Sequence, residues 1–386
     1  MVNFDEEYDV YVASEVRDFS IGGVSFWVDS WIRYVVPYLR VKPILIIEVE
    51  PTDKWMNYAS QFVSVIDRPG SKHKYECSYP SIGVENYFSL PDTKYTNEII
   101  KKSRRVHILS CPYGSLYKKK VKSVLNKYGI IDTAIIHSLE TQSVSTSSKY
   151  FNISKRKTKN QERSLELQEN INNTANETIW IGINKESDIT HHIPNFYNFT
   201  ENYEKESCMS NVVGYAARSE ARKNFYYLQK LESKAFTADD IITYWETSFK
   251  SKIKFDNVEV IPYSRDGVHD FFSRTDWGIF HGAYENEPFG YSIFQALDYN
   301  KIPIISKDWC VDYEYPFRSS TQKEFEEQVA KISKLSQKER DTYIRGFKVH
   351  LSKYTNTNEW RDKLLSIYNK SENETWLPGS LQPSNS

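Results

Sequence analysis

The sequence predicts an α/β fold in which two Rossmann-like domains, each with a parallel sheet, face each other across a cleft. Two series of short apolar runs alternate with segments of helical periodicity, and residues 191–199 (HHIPNFYNF) separate the two series. Strands that alternate with helices form parallel sheets, because each crossover helix returns the chain to the same end of the sheet. The 386 residues are enough to give each domain a core of its own.

The first series opens with a strand, a loop and a helix. YDVYVAS (8–14) is an apolar strand, RDFSIGG (17–23) is a loop, and VSFWVDSWIRYVVPYL (24–39) repeats apolar residues three and four apart, as amphipathic helices do. SLYKKKVKSVLNKYG (115–129) has the same helical spacing and ends on a glycine. Further apolar, β-branched runs predict strands at ILIIEVE (44–50), VHILS (106–110), DTAIIHS (132–138) and TIWIGI (178–183).

The second series repeats this alternation. Strands are predicted at NVVGYA (211–216), VEVIPY (258–263), WGIF (277–280) and IPIIS (302–306). Helices are predicted at RKNFYYLQKLESKAF (222–236), YSIFQALDYN (291–300), QKEFEEQVAKISKL (322–335) and NEWRDKLLSIYN (358–369).

These elements predict the domain organisation. Residues 1–195 form the first domain, and the low-complexity stretch 143–177 is a flexible insertion within it. Residues 196–355 form the second domain. A C-terminal helix at 356–371 and a disordered tail at 372–386 follow.

Composition excludes several classes of protein. The 50 basic and 51 acidic residues give a net charge of −1, so the whole-chain charge points to no particular partner. The first residues lack a basic flank and an apolar block, and no apolar run reaches the roughly 20 residues of a membrane helix, so we expect a cytoplasmic protein without membrane contact. The cysteines have no metal-type spacing and predict free thiols without structural zinc: Cys77, Cys111, Cys208 and Cys310.

Three motifs carry possible chemistry. Gly22 and Gly23 stand between the first strand and first helix, where backbone N–H groups can approach an anion, although a plain turn explains them equally well. Neither GxGxxG nor GxxxxGK[ST] occurs, which argues against a dinucleotide oxidoreductase and a P-loop kinase. Arg218 and Lys223 stand five residues apart at the start of a helix, where bases oppose the helix dipole unless they bind an anion such as a diphosphate.

The third motif places the carboxylate Glu287 before a Phe-Gly pair, a helix and an apolar strand. This segment, ENEPFGYSIFQALDYNKIPII (285–305), resembles the donor-binding signature of GT-B glycosyltransferases. ARSEARKNFYYL (217–228) resembles the Arg-x4-Lys element of the same family, IPNF (193–196) its interdomain segment and IGGVSF (21–26) its glycine loop. Within that family, the Gly-Val-Ser loop and the Arg-x4-Lys-x-Phe-Tyr pattern resemble the DNA α-glucosyltransferases of T-even-type phages.

The resemblance implies roles for individual donor-binding residues. It implies that Glu287 binds hydroxyls of the donor sugar and that Arg218 and Lys223 bind the diphosphate. It also implies that the backbone around Phe289, Gly290 and Tyr291 closes on the sugar and phosphates. Gly22 and Gly23 belong to the matching loop of the first domain. The resemblance also implies that the first domain binds the acceptor and that the second binds the nucleotide sugar.

One position departs from the family pattern. Gln295 stands eight residues after Glu287, where the family usually has a second Glu that binds the ribose of the nucleotide. Gln keeps the hydrogen-bonding capacity and loses the charge, so ribose recognition is expected to differ.

Candidates for the catalytic groups lie in the first domain. His137 and Glu140 follow the strand at 132–136, at the sheet edge where catalytic groups of α/β folds gather. We expect His137 to hydrogen-bond the donor sugar and Glu140 to take the acceptor proton, with Asp18 as a rival base. A purely structural hydrogen bond is the alternative for His137. No Asp-x-Asp element occurs, which fits chemistry without a metal or other cofactor.

A basic region indicates the acceptor. Residues 101–163 hold fifteen Lys or Arg and three acids, a balance of +12, interleaved with aromatic residues. This is the pattern expected for a polyanion partner, and a solvated face is the alternative. The expected DNA contacts are Lys118, Lys119, Lys120 and Lys122.

Together these observations and the resemblance predict a retaining transferase whose donor is a nucleotide sugar. We expect this donor to be a UDP-sugar. The sugar is glucose or a pentose such as arabinose. The acceptor is 5-hydroxymethylcytosine or a related hydroxymethyl pyrimidine in double-stranded phage DNA, within the infected host cell. One alternative is a GT-B transferase that acts on a glycan, lipid or protein. The other is a DNA-binding module without donor chemistry, which the loss of charge at Gln295 would suit.

Overall fold

The structure of the chain is a computed structural model. The described residues are 6–13, 23–47, 57, 59, 61, 64–67, 93–110, 132–137, 175–185, 189–200, 213–215, 241–243, 258–260, 271–272, 279–282 and 287–370.

The first sheet contains seven strands, all paired in parallel. They are β1 (Tyr8–Ala13), β2 (Lys42–Ile47), β3 (Ser64–Asp67), β4 (Arg105–Ile108), β5 (Thr133–Ile136), β6 (Glu177–Trp180) and β7 (His191–His192). Their order is β3-β2-β1-β4-β5-β6-β7. The first six strands thus follow the Rossmann order 3-2-1-4-5-6. All six residues of β1 are buried, as expected for a parallel strand covered on both faces.

The second sheet contains six parallel strands in an equivalent order. They are β8 (Val213–Tyr215), β9 (Ile241–Thr243), β10 (Val258–Val260), β11 (Ile279–Gly282), β12 (Ile302–Ser306) and β13 (Arg318–Ser319). The order β10-β9-β8-β11-β12-β13 is again 3-2-1-4-5-6 when its strands are renumbered from β8. The two parallel sheets predicted from the sequence are therefore present.

Six α-helices are described. They are α1 (Gly23–Tyr34), α2 (Thr93–Lys102), α3 (Tyr291–Asp298), α4 (Gln322–Ile332), α5 (Gln337–Leu351) and α6 (Thr357–Tyr368). The last three start at side-chain caps, because Thr321, Ser336 and Asn356 each accept a hydrogen bond from the backbone N–H three residues on. The Glu339 carboxylate completes a capping box with Ser336. Among the described helices, none is both long and apolar enough to span a membrane.

Each sheet packs into a core of its own, and the last helix joins the first of them. The side chains of Trp360, Leu364 and Ile367 on α6 are buried in the same cluster as Trp27 and Trp31 on α1. The Trp27 and Trp360 rings meet edge to face with centroids 6.0 Å apart. The end of the described chain therefore completes the core that its beginning starts.

The segment after β7 crosses from the first core to the second. Ile193 and Phe196 are buried in the first cluster, whereas Tyr197 and Phe199 pack against the second. The buried carboxylate of Asp298, at the end of α3, accepts three hydrogen bonds from this segment: from Tyr197 Oη (3.1 Å), Thr200 Oγ1 (2.7 Å) and Thr200 N (2.9 Å). Without these bonds, the Asp298 carboxylate would be buried without partners at the C-terminal end of α3, where the helix dipole disfavours a negative charge.

The first core contains a histidine in an unusual setting. His107 on β4 is fully buried, and its Nδ1 lies 2.9 Å from Oγ1 of Thr133. Its Nε2 lies 4.0 Å from Oδ2 of Asp9, whose carboxylate is held in a two-bond ion pair with Arg104 (3.0 and 2.7 Å). Burial, reinforced by the charges of Arg105 and Arg104, lowers the pKa of His107 to about 3.

This depressed pKa predicts an acid-sensitive fold. Unfolded His107 has a pKa near 6.5 and takes up a proton as the pH falls below that value, whereas the folded imidazole stays neutral until about pH 3. The free energy of unfolding should therefore fall by roughly 1.4 kcal/mol per pH unit from this one group, or about 2 kcal/mol between pH 6.5 and 5.

Denaturant unfolding of the wild type and of His107→Asn at pH 7 and pH 5 measures this contribution. Asn keeps a polar atom near Thr133 but cannot take up the proton. The variant should lose less stability than the wild type over this pH interval. Equal losses in the two proteins would show that His107 does not control the acid sensitivity.

Candidate functional site

The order of the strands locates one site in each sheet. In a 3-2-1-4-5-6 sheet, ligands bind outside the carboxyl ends of strands 1 and 4, where the strand order reverses. In the second sheet these strands are β8 and β11, which pair directly. Arg218 follows the end of β8 by three residues, and Glu287 follows the end of β11 by five. The carboxyl ends of β8 and β11 therefore lie at the same edge of the sheet, and the chain continues from them toward Arg218 and Glu287.

The donor loop ends in a glycine that the backbone requires. Gly290 has φ 74° and ψ 53°, the left-handed conformation that glycine adopts without steric cost, and it immediately precedes α3. A Cβ at this position would lie 2.9 Å from Cδ1 of Ile293 and 3.4 Å from Cγ of Glu287. The Glu287 side chain thus packs against the open face of Gly290. The first N–H groups of α3, which have no partner within the helix, begin beside this carboxylate.

The side chain of Phe289 belongs to the core. It is 2% exposed and stacks on Phe294 with ring centroids 4.5 Å apart and planes 10° apart. Only the backbone of Phe289 can therefore face a ligand, which agrees with the role predicted for this segment. The buried ring also anchors the loop, because it fixes the residue that immediately precedes Gly290.

An aromatic contact joins this loop to the first domain. The Tyr291 ring lies 4.3 Å from the Phe26 ring on α1 and 4.8 Å from the Phe289 ring. Phe26 follows Gly23 by three residues, in the first turn of α1. The end of the predicted glycine loop and the donor loop are therefore neighbours. Burial raises the pKa of Tyr291 well above its ordinary value, so its hydroxyl stays protonated near neutral pH.

A second contact between the domains lies beyond β6. Ile183 N donates to the carbonyl of Pro288 in the donor loop (2.7 Å). The Asn184 side chain donates to the carbonyl of Asp308 and accepts from Val311 N (3.2 Å), both in the connection between β12 and β13. Sequence analysis did not identify Phe26, Ile183 or Asn184. The polar Asn184 just after the apolar strand was the available signal for this contact.

Gln295 lies one helical turn after Tyr291 on α3, and both side chains are partly exposed. Residues four apart share one face of a helix, so Gln295 extends the surface that starts at Tyr291. The neighbouring positions Ile293, Phe294 and Leu297 are buried. This arrangement allows Gln295 to meet a ligand at the start of α3, and its ribose role stays a prediction.

His137 makes the structural hydrogen bond that was its alternative role, and its bond to the donor sugar stays a prediction. The residue follows β5 at the carboxyl edge of the first sheet, and its Nε2 lies 2.6 Å from the Leu109 carbonyl, which can only accept. Nε2 therefore carries the proton, and Nδ1 is the acceptor nitrogen. Burial lowers the pKa of His137 to about 4, against the raising effect of this hydrogen bond. A neutral acceptor suits a hydrogen bond from a sugar hydroxyl better than it suits general base catalysis.

Several predicted residues lie outside the described residues, and their roles stay predictions. These are Asp18, Gly22, Lys118, Lys119, Lys120, Lys122, Glu140, Arg218 and Lys223. Of the glycine pair, the structure describes the backbone of Gly23, which is the first residue of α1.

The described part of the basic region lies at the amino edge of the first sheet. Lys101 and Lys102 end α2, and Arg104 and Arg105 precede or start β4, so these four bases lie away from the ligand-binding edge. Arg104 is also held by Asp9, as described above. The other bases of the region, which include the predicted DNA contacts at 118–122, lie outside the described residues.

Comparison with known proteins supports the fold. No protein-family model matches the chain, and no curated protein matches its sequence. Among solved structures, the chain is similar to Anabaena HepE in complex with UDP and glucose, with a TM-score of 0.64 and 10% identity over 93% of this chain and 98% of that one.

Two further structures resemble the chain over nearly its whole length. One is an α-glucosyltransferase in complex with UDP and a 13-mer DNA containing an A:G mismatch, with a TM-score of 0.57 and 11% identity over 95% of this chain and 99% of that one. The other is the lipopolysaccharide outer core galactosyltransferase WaaB, with a TM-score of 0.58 and 10% identity over 94% and 99%. The chain has the GT-B fold, as predicted.

Proposed function

We propose that the chain is a retaining glycosyltransferase that moves a sugar from a UDP-sugar to 5-hydroxymethylcytosine or a related hydroxymethyl pyrimidine in DNA. The observation that carries the proposal is the donor loop. Its carboxylate, Glu287, packs against the left-handed Gly290 at the start of α3, beside the strand-order reversal of the second sheet. A carboxylate can accept two sugar hydroxyls, and the start of a helix favours the phosphates beside them.

The proposed transfer assigns one task to each group. The bond between C1 of the sugar and the β-phosphate oxygen breaks, and both of its electrons leave with UDP. Arg218 and Lys223 stabilise the charge that gathers on the diphosphate. The hydroxymethyl oxygen of the acceptor bonds to the same face of C1, and its proton passes to a base, for which Glu140 and Asp18 are the candidates. His137 accepts a hydrogen bond from the donor sugar.

The DNA acceptor rests on two supports. The bases that follow β4 outnumber the acids of that region, and a surface of this kind suits phosphates. One protein with this fold was solved with UDP and DNA. A target base must leave the duplex to reach the cleft, and the tyrosines among these bases can stack on it. A cytoplasmic location in a phage-infected cell follows from this acceptor.

A glycan, lipid or protein acceptor is the second candidate function. It is favoured by the other proteins with this fold, which include a lipopolysaccharide galactosyltransferase and the pneumococcal O-GlcNAc transferase GtfA. Mass spectrometry of hydroxymethylated and unmodified DNA, each incubated with the protein and a panel of sugar nucleotides, tests the proposal. A hexose or pentose added only to hydroxymethylated DNA supports it. Donor hydrolysis without any DNA product favours the second candidate, and no donor turnover favours a non-catalytic DNA-binding module.

The DNA contacts give a separate prediction. Replacing Lys118, Lys119, Lys120 and Lys122 together with Gln should flatten the dependence of log affinity for duplex DNA on log salt, by about 0.9 for each lost phosphate contact. The DNA KM should rise, whereas donor hydrolysis without DNA should stay unchanged, because Arg218, Lys223 and Glu287 lie in the other domain.

Replacement of Lys101 and Lys102 with Gln is the matched control. These lysines are exposed and lie at the opposite edge of the same sheet, so the slope for this variant should stay close to the wild-type slope. Filter binding or fluorescence anisotropy at several salt concentrations measures all three proteins. DNA binding that does not depend on salt, or an unchanged slope in the quadruple variant, would refute the DNA contacts.

A further inference from the structure

A cysteine, an aspartate and a histidine converge away from the donor loop. Cys310 and Asp312 lie in the connection between β12 and β13, and His350 lies in the last turn of α5. Oδ1 of Asp312 is 3.5 Å from Sγ of Cys310 and 3.5 Å from Nε2 of His350. All three atoms lie within 4.8 Å of one another. Neither the donor site nor the acceptor region uses these residues.

The spacing of the three atoms fits a zinc ion. Zn²⁺ binds sulfur at about 2.3 Å and nitrogen or oxygen at about 2.0–2.2 Å, so tetrahedral ligands lie roughly 3.3–3.8 Å apart. The two 3.5 Å separations already fall in this range. The third is at most 4.8 Å, and a modest rotation of the imidazole brings it into range. Thiolate, imidazole and carboxylate are also the ligands that zinc prefers.

The surroundings hold the three side chains in place. The Tyr313 ring stacks on the His350 ring with centroids 4.2 Å apart and planes 15° apart. Lys353 pairs with Oδ2 of Asp312, which leaves Oδ1 turned toward Cys310 and His350. Cys310 has φ 51°, a left-handed conformation that is uncommon for a residue with a Cβ, and this conformation directs its thiol into the cluster.

The surroundings also determine whether solvent can reach the cluster and how its charge is balanced. The buried Nε2 of His350 has no hydrogen-bond partner of good geometry among the described residues. The side chain of Asp312 is 52% exposed, so solvent can reach a fourth ligand position. Lys353 and Arg318 oppose a cation here, whereas a thiolate and a carboxylate together offset the charge of a dication.

We propose that Cys310, Asp312 and His350 bind one Zn²⁺, with water as the fourth ligand. The thiol proton leaves to solvent as the Zn–S bond forms, and no redox change occurs. The ion ties the connection between β12 and β13 to the end of α5. Since the same connection meets Asn184 through Asp308 and Val311, the ion also stiffens this contact between the domains. The search for metal-type spacing in the sequence did not identify these residues, because His350 lies 40 residues after Cys310.

Metal binding can be measured without any activity assay. The full-length protein is treated with a chelator, dialysed and titrated with Co²⁺ and then Zn²⁺. One equivalent of Co²⁺ should produce a sulfur-to-cobalt charge-transfer band, and one equivalent of Zn²⁺ should abolish it and raise the Tm. Cys310→Ser should remove the band, and His350→Gln should weaken zinc binding by more than about 100-fold, since even indirect changes at such sites cost 10–100-fold.

Three controls keep the result specific. Cys208→Ser tests another thiol, and His191→Gln tests another partly buried histidine that pairs with an acid, and both should bind one zinc as the wild type does. Asp312→Asn, at an exposed position, covers the case in which Cys310→Ser fails to fold, and it should also weaken binding. The absence of stoichiometric binding to the wild type, or undiminished binding to Asp312→Asn and His350→Gln, overturns the proposal.

Discussion

Replacing Glu287 with Gln is expected to lower kcat for sugar transfer by about 100-fold or more. The carboxylate is proposed to accept hydroxyls of the donor sugar, and hydrogen bonds to a charged group contribute about 1.5–3 kcal/mol each. Gln keeps the size of the side chain and one acceptor oxygen but loses the charge, and one of its two polar ends becomes a donor. The loss should appear in kcat, because the sugar carries the developing charge of the transition state.

The affinity for free UDP should change little in the same variant. The transferred sugar is absent from UDP, so a residue that contacts only the transferred sugar should not affect the binding of UDP. Isothermal titration calorimetry with UDP and with the intact sugar nucleotide separates the two effects. Gln295→Glu should behave in the opposite way and alter UDP affinity, because this position is assigned to the ribose.

Glu327→Gln, on the exposed face of α4, controls for the loss of one carboxylate in the same domain, and its kinetics should match the wild type. If Glu287→Gln weakens free UDP as much as the sugar nucleotide, the assignment of Glu287 to the sugar is wrong.

Replacing Arg218 or Lys223 with Ala is expected to cost roughly 2–4 kcal/mol of transition-state stabilisation, or about 30- to 1,000-fold in kcat/KM. Both residues are proposed to bind the diphosphate, whose charge increases as the bond to the sugar breaks. UDP affinity should also fall, in contrast to the Glu287 variant, because the diphosphate is present in UDP.

Arg222→Ala is the matched control, since Arg222 belongs to the same basic segment and is expected to be a surface charge. Steady-state kinetics and UDP titrations on the three variants give the comparison. Unchanged turnover in both Arg218→Ala and Lys223→Ala would rule out the proposed diphosphate contacts.

The central strands could be predicted because each of these buried strands is a continuous run of apolar residues. The six residues of β1 are all buried, and YDVYVA is readable as a strand without any partner. The edge strands β7 and β13 have two residues each, too few to show a period, and they exist only because a longer strand pairs with them.

Helix α5 was missed for a different reason. Its buried face includes Arg340, a charged residue at a position where the helical pattern calls for an apolar one. The Arg340 guanidinium donates to the carbonyl of Ile332, the last residue of α4, and to that of Leu335 in the connection to α5. These bonds compensate its burial. Such a partner is set by the tertiary fold, and periodicity alone cannot reveal it.

The residues of the candidate site also differ in whether the sequence alone could identify them. Glu287, Gly290 and the start of α3 are contiguous, so a local motif could identify them. The contact of Phe26 with Tyr291 and the bonds of Ile183 and Asn184 join residues more than 100 positions apart. Apart from the polar Asn184 after an apolar strand, these residues carry no chemical signal by themselves, and only the relative placement of the two sheets brings them together.

The packing of α6 against α1 has a consequence for how the protein is made. Trp27 leaves the ribosome more than 300 residues before Trp360, which covers it in the finished core. At about 5–20 residues per second, Trp27 waits roughly 15 s to 1 min during translation before the helix that carries Trp360 exists. Throughout that interval the nascent chain exposes tryptophan-rich apolar surface, so we expect its yield in cells to depend on chaperones that hold incomplete chains.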